Sequence, residues 1–187
     1  MPNVAYAGCH GLEIAWRAVR FRHPRAVGLA PLLRRVGRQL QRKTSRYSGV
    51  LVEPKGLTVC LHYRLADPRV VPALRGIVRQ ILGSAPSLEL LAGKKALELR
   101  PRVTWGKGEA VRLLRGLLAR SLRARPLTLY LGDDETDEEA FQALRGKAVC
   151  VAVGRRRTRA AYQLSSPEAV LALLGWLAKT LNGTVRR

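Results

Sequence analysis

The run Leu127-Thr128-Leu129-Tyr130-Leu131, closed by Gly132-Asp133-Asp134, constrains this chain more than any other feature. A continuous apolar run fits a strand buried on both faces, as in a parallel sheet covered by helices. Ala148 to Val153 is a second such run. Between them, Glu135 to Arg145 reads as a helix closed by Gly146. Gly108 to Leu122, just upstream, is an amphipathic helix with Val111, Leu114, Leu118 and Leu122 on one stripe. Ser166-Pro167-Glu168 opens a last helix that ends near Asn182-Gly183. This order of strand, helix, strand and helix predicts a doubly wound α/β fold.

The residues upstream follow a different style. Val4 to Ala7 reads as a short strand ending at Gly8, and Leu12 to Trp16 as another. Leu29 to Arg46 is helical, with Leu32, Leu33, Val36 and Leu40 on one side and arginines on the other. Val50-Leu51-Val52 and Leu57 to Tyr63 read as paired strands around Pro54-Lys55-Gly56. Asp67-Pro68 starts a helix with an apolar stripe through Val70, Val71, Leu74, Ile77, Val78 and Ile81, and Gly83 ends it. Leu88 to Leu91 and Ala96 to Leu99 pair around Gly93. The pattern is that of an α+β module inserted into the α/β domain. It predicts three parts: a core fragment over 1–15, the α+β insertion over 16–100, and an α/β core half over 101–187.

Charge and composition narrow the function classes. The chain has 187 residues, with 34 Lys and Arg against 13 Asp and Glu, a net charge of +21. That excess admits a polyanionic partner. Yet the basic residues are spread along the whole sequence, and no aromatic stacking surface or nucleic-acid-binding motif accompanies them, so nucleic acid is not the expected partner. Arg155-Arg156-Arg157 reads as a solvated loop after the second buried strand. No apolar run approaches the length of a membrane span. The first ten residues lack a basic start followed by an apolar core, so no secretory signal is expected. Cys9, Cys60 and Cys150 are scattered and read as buried, reduced thiols of a cytoplasmic protein.

The acids are the more informative set. Six of the thirteen fall between Asp133 and Glu139. At the carboxyl end of a parallel strand, where ligands of open sheets bind, Asp133 can hold a hard cation such as Mg²⁺, which takes oxygen ligands. Asp137 lies one helical turn further on. The same acids also suit a helix start: Thr136 with Glu139 has the spacing of a capping box, and carboxylates favour a helix N-terminus. Both readings stand together. Lys107, in Trp105-Gly106-Lys107-Gly108, is poorly placed for the helix dipole. Either it is simply solvated, or it and the free backbone N–H groups converge on a phosphate.

These residues resemble a known family. Gly132-Asp133-Asp134-Glu135-Thr136-Asp137-Glu138-Glu139-Ala140-Phe141 is similar to the last motif of trehalose-6-phosphate phosphatases, members of the haloacid dehalogenase superfamily. Tyr6 to Glu13 resembles their Gly-x-His-Gly segment. Val52-Glu53-Pro54-Lys55, His62-Tyr63-Arg64, Gly93-Lys94-Lys95 and Glu98-Leu99-Arg100-Pro101 resemble their cap, and Trp105 to Gly108 resembles their third motif. The resemblance runs over about residues 4 to 181. It implies a Rossmannoid core with an inserted cap, Mg²⁺ as cofactor and trehalose 6-phosphate as substrate. It implies Asp133 and Asp134 as metal ligands, with Asp137 supporting that site and Lys107 holding phosphate and nucleophile. It implies that Glu53, Lys55, Arg64, Lys94, Glu98 and His10 bind the sugar.

The family's first motif, Asp-x-Asp-Gly-Thr, is absent. No Asp precedes Asp67 in this sequence, so the attacking aspartate and the acid–base aspartate are expected upstream of Met1, together with the first core strand and the second motif. Two expectations follow. The chain alone is inactive, and the strand Leu127–Leu131 presents an unpaired apolar edge that favours self-association. A non-catalytic sugar-phosphate-binding remnant is the alternative function, and a nucleic-acid module a remote third.

Overall fold

Alternation of side chains along short strands organises the first of two units, Met1–Thr104 and Trp105–Arg187, into which the chain divides. The computed structural model describes residues 4–154 and 157–184. Met1, Pro2 and Asn3, and Arg155 and Arg156 of the basic loop, lie outside the described residues.

The first unit holds two antiparallel sheets. β1 (Tyr6–Gly8), β2 (Glu13–Trp16) and β3 (Val19–Arg22) form a meander. The turn Cys9–Gly11 joins the first two strands, with His10 in left-handed backbone at φ 57°. Sequence reading does not foresee β3, because Val19 and Phe21 offer only two alternating apolar residues. Nor does it foresee the short α1 (Pro24–Gly28), which begins on a proline. α2 (Ala30–Thr44) follows, with β4 (Leu51–Pro54) and β5 (Val59–His62) after it. Asp67 caps a 3-10 turn by accepting the Arg69 N–H at 2.8 Å, and α3 (Val71–Gly83) continues from it. β6 (Leu88–Gly93) and β7 (Ala96–Pro101) complete a second sheet in the order β4-β5-β7-β6.

The period of two decides what each face of that sheet carries. Val59 and Leu61 of β5 and Leu97 and Leu99 of β7 join the core formed by Leu33, Val36 and Leu40 of α2 and Leu74, Val78 and Ile81 of α3. Their neighbours Cys60, His62 and Glu98 therefore point the other way. The register sets Glu53 opposite Cys60, and Cys60 opposite Glu98, in one row across three strands.

The second unit begins with α4 (Lys107–Leu122), β8 (Leu129–Gly132), α5 (Glu135–Ala143) and β9 (Val149–Val153). β10 (Tyr162–Leu164), unforeseen in the sequence, adds parallel to β9, and α6 (Pro167–Thr184) closes the unit. All pairings are parallel, in the order β10-β9-β8. A small core of Phe141, Leu144, Cys150 and Ala152 lies under α5. Gly108 lets α4 approach α5 closely: a Cβ there would sit 2.6 Å from the Ala143 Cβ.

One expectation needs correction. The run 127–131 is not buried on both faces. Leu127 precedes the strand and is 90% exposed, and Leu129 to Leu131 are only half-buried. The strand order explains this, since β8 is the outer strand of its sheet among the described residues. The face of α6 is also open, with Leu171 and Trp176 exposed.

Candidate functional site

β8 delivers its chain end to a tight acidic corner. After Gly132 the backbone turns through Asp133 and Asp134 into α5. Because the helix starts at Glu135, its N-cap is Asp134 and its third residue is Asp137. The expected Thr136–Glu139 box is therefore replaced by one between Asp134 and Asp137. Asp134 Oδ1 accepts the Asp137 N–H at 3.1 Å and the Thr136 hydroxyl at 2.5 Å. In return Asp137 Oδ2 accepts the N–H groups of Asp133 at 3.0 Å and Asp134 at 3.1 Å.

Asp137 is the centre of this corner and only 4% exposed. Its other oxygen, Oδ1, accepts Lys107 Nζ at 2.8 Å and the Tyr130 hydroxyl at 2.7 Å. Lys107, the first residue of α4, also reaches Asp134 Oδ1 at 3.2 Å. A buried carboxylate persists only when its charge is paired and its lone pairs are filled, and four donors meet that condition here. Gly132 makes the arrangement possible. A Cβ at that position would lie 2.4 Å from Asp137 Cβ and Cγ, closer than any side chain tolerates.

Electrostatics follow the same contacts. Burial alone would lower the Lys107 ammonium, but Asp137 and Asp134 raise it above its ordinary value and keep it charged. Burial would raise Asp134, yet the Thr136 hydroxyl and Lys107 hold it at about 2. The Tyr130 hydroxyl is pushed up by burial and by Asp137, so it stays protonated and donates.

Asp133 differs from its neighbours. Its side chain is exposed and has no hydrogen-bond or ion-pair partner among the described residues. Mg²⁺ commonly takes one or two protein carboxylates and fills its other positions with water and phosphate oxygens. Among the described residues no group of three His, Cys, Asp or Glu is arranged as a closed metal cage. An open site resting on the Asp133 carboxylate fits the ion. Asp134 turns one oxygen to Lys107 and the helix cap, which leaves it the weaker of the two candidate ligands.

In the first unit the sequence-predicted sugar-binding residues fall into two groups. His10 Nε2 meets Glu98 Oε2 at 3.0 Å, tying the Cys9–Gly11 turn to β7. Burial would raise the Glu98 carboxyl, but the His10 hydrogen bond and the charges of His10 and Lys55 hold it at about 2. Glu53 Oε2 meets His62 Nε2 at 2.8 Å and Lys55 Nζ at 3.5 Å. The Cys9 thiol donates to the Lys55 carbonyl at 3.1 Å and so joins the two groups. Glu53 therefore pairs with His62, not with Arg64. Arg64 and Lys94 line a basic groove of about 470 Å³ with His62, Lys95 and Leu65. Cys9 is half-buried and Cys60 and Cys150 are buried, and none is bonded to another.

Two residues of these networks were not singled out from the sequence. In the sequence Tyr130 is one member of an apolar run, although a tyrosine in such a run usually brings its hydroxyl to a partner. His62 opens His62-Tyr63-Arg64, where the sequence points to Arg64 alone. Its position two residues after Cys60 on β5 puts it on the Glu98 face. A third feature is a clamp: Glu138 accepts the Thr158 hydroxyl at 2.8 Å and the Arg159 N–H at 2.7 Å, holding the segment after β9 to α5.

A parallel sheet with an open aspartate at one strand end, and a lysine of the preceding helix bonded to the acids next to it, defines a doubly wound α/β protein with its candidate site at that strand end. The chain belongs to the trehalose-phosphatase family, whose model matches residues 1–168. A trehalose-phosphate phosphatase of Mycobacterium marinum is 35% identical, over 97% of this chain and 48% of its own length. A probable trehalose-phosphate phosphatase D of Arabidopsis thaliana is 32% identical, over 98% and 54%. The chain thus spans about half the length of the curated relatives it matches. The crystal structure of a trehalose-6-phosphate phosphatase related protein superposes with a TM-score of 0.79 at 25% identity, covering 95% of this chain and 72% of that one.

Proposed function

We propose that this chain carries the metal and phosphate corner and the sugar-recognition residues of a Mg²⁺-dependent phosphomonoester hydrolase acting on trehalose 6-phosphate. The observation that carries the reading is the buried Asp137, which gathers Lys107 and the backbone of Asp133 around one point. In this reading Asp133, with Asp134 beside it, holds Mg²⁺. The ion, when bound, neutralises phosphoryl oxygens. Lys107 offers its ammonium to the phosphoryl group, and Asp137 keeps that ammonium charged and aimed. Residues 16–100 serve as the cap, in which Glu53, Lys55, Arg64, Lys94 and Glu98, with His10 from the neighbouring turn, hydrogen-bond sugar hydroxyls. Residues 1–15 and 101–187 belong to the core.

The sequence holds no Asp-x-Asp-Gly-Thr, so the chain on its own binds the sugar phosphate without turning it over. Its place is the cytoplasm, a reading supported by three unbonded cysteines. No helix among the described residues is long and apolar enough to cross a membrane. The open edge of β8 and the exposed apolar residues of α6 favour association with a second copy.

Calorimetry tests the reading. The chain should bind trehalose 6-phosphate in the presence of Mg²⁺, Asp133→Asn should abolish the Mg²⁺ dependence, and no phosphate should appear. Absence of binding would refute the site, and phosphate release at rates normal for a phosphatase would refute the inactivity. A second reading, a non-catalytic sugar-phosphate binder, is favoured by the same missing motif. Phosphate release by a version extended with an in-frame upstream Asp-x-Asp-Gly-Thr would exclude it.

A further inference from the structure

We infer that the outer face of helices α2 and α3 is a docking surface for the phosphate backbone of duplex nucleic acid. The inner stripes of both helices are buried on the sheet. Their outer positions carry Arg34, Arg35, Arg38, Arg42, Arg75 and Arg79, all exposed. Neither helix contains an Asp or Glu. Lys43 Nζ bonds Gln80 Oε1 at 3.1 Å, which joins the two rows into one surface. The fold thus sets the arginines of α2 beside those of α3.

The two helices carry no carboxylate of their own to offset this charge. Elsewhere Arg22, Arg100 and Arg112 have acidic partners at 2.9, 2.8 and 3.2 Å. Among the described residues none of the six helix arginines has one. Arg34, Arg38 and Arg42 repeat at four-residue spacing on one helix, where like charges repel and destabilise it. No contact among the described residues offsets that repulsion, whereas an external polyanion does.

The chemistry selects the polyanion. Guanidinium groups fork onto phosphate oxygens. The row Arg34 to Arg42 is about 12 Å long at 1.5 Å per residue, and phosphates on one duplex strand advance about 3.4 Å each along the axis. No large apolar residue is exposed on either helix among the described residues, so an acyl layer has nothing to receive. No aromatic residue lies within the two helices to stack an unpaired base. Backbone binding to a duplex, independent of its sequence, remains.

The test is fluorescence anisotropy of a labelled DNA duplex with the whole chain across a salt series. With about five phosphates neutralised, one by each of Arg34, Arg38, Arg42, Arg75 and Arg79, affinity should fall about 500-fold between about 50 and 200 mM salt. Arg34→Gln, Arg38→Gln and Arg42→Gln together should reduce that fall to about 12-fold. Arg75→Gln with Arg79→Gln provides a milder variant on the other helix and should lower the log–log salt slope by about 1.8. Arg120→Gln, Arg123→Gln and Arg125→Gln, an equal loss of charge elsewhere, should leave binding near that of the parent. No binding at about 50 mM salt, or equal weakening by the control triple, would overturn the inference. So would tighter capture by phosphatidylserine vesicles than by the duplex. Trehalose 6-phosphate binding involves other residues and reads out separately.

Discussion

Replacing Asp137 with asparagine should unfold the acidic corner more readily than any surface change of equal charge. The native carboxylate takes four donors: Lys107 Nζ, the Tyr130 hydroxyl and the N–H groups of Asp133 and Asp134. Asparagine keeps the size but offers one acceptor oxygen and an NH₂ group, which must then face donors. Removing one partner of a buried ion pair costs about 3–5 kcal/mol. The Lys107 side chain is 27% exposed, so water recovers part of its solvation, and the lower end applies, about 3 kcal/mol. With a urea m-value of about 2 kcal/mol/M, the midpoint should drop by about 1.5 M. Far-UV circular dichroism during urea titration measures it. Tyr130→Phe removes one donor to the same oxygen and should cost about 1 kcal/mol. The double variant should lose less than the sum, since both changes act on one carboxylate. A midpoint shift below about 0.3 M for Asp137→Asn, or strict additivity with Tyr130→Phe, would refute the idea that Asp137 organises the site.

Two further outcomes are expected. Glu98 is held at about 2 against an ordinary 4.5, so its contribution to stability is complete above about 4.5 and is lost as pH falls towards 2. That contribution is of the order of 3 kcal/mol, and urea midpoints measured from neutral pH downward should show a loss in that window that Glu98→Gln flattens; an unchanged profile would refute the His10–Glu98 coupling. The chain should self-associate with concentration, and Leu127→Lys with Trp176→Lys should shift it towards monomer in light scattering after gel filtration; a parent that is monomeric at all concentrations would refute the role of the open edge.

Much of this was legible in the sequence because the signals were periodic. The stripes of α2 and α3, the paired strands around Gly56 and Gly93, and the strand-to-helix step at Gly132-Asp133 announce themselves through spacing. The failures have physical causes. Val19–Arg22 and Tyr162–Leu164 are too short to show a period, and they become strands through pairing with neighbours. The half-exposure of β8 depends on its place in the strand order, which no local window contains. The helix cap falls at Asp134 and not at Thr136 because only Asp133 and Asp134 separate the strand end at Gly132 from the helix start at Glu135. Tyr130 was hidden by its apolar neighbours, and its role depends on where Asp137 lands. The arginine side of α2 is legible from its period, but its continuation into Arg75 and Arg79 depends on α3 packing beside it, which no local window contains.

The bare backbone at Gly132 has a consequence for how such a corner can be lost. Since the buried carboxylate presses directly against that residue, a single added methyl would displace it. The ammonium it restrains and the peptide groups that aim Asp133 would then be released together. The corner has no intermediate setting in which Lys107 swings free while the Asp133 backbone stays in place. One codon change at a position bearing no chemistry of its own would disarm both at once.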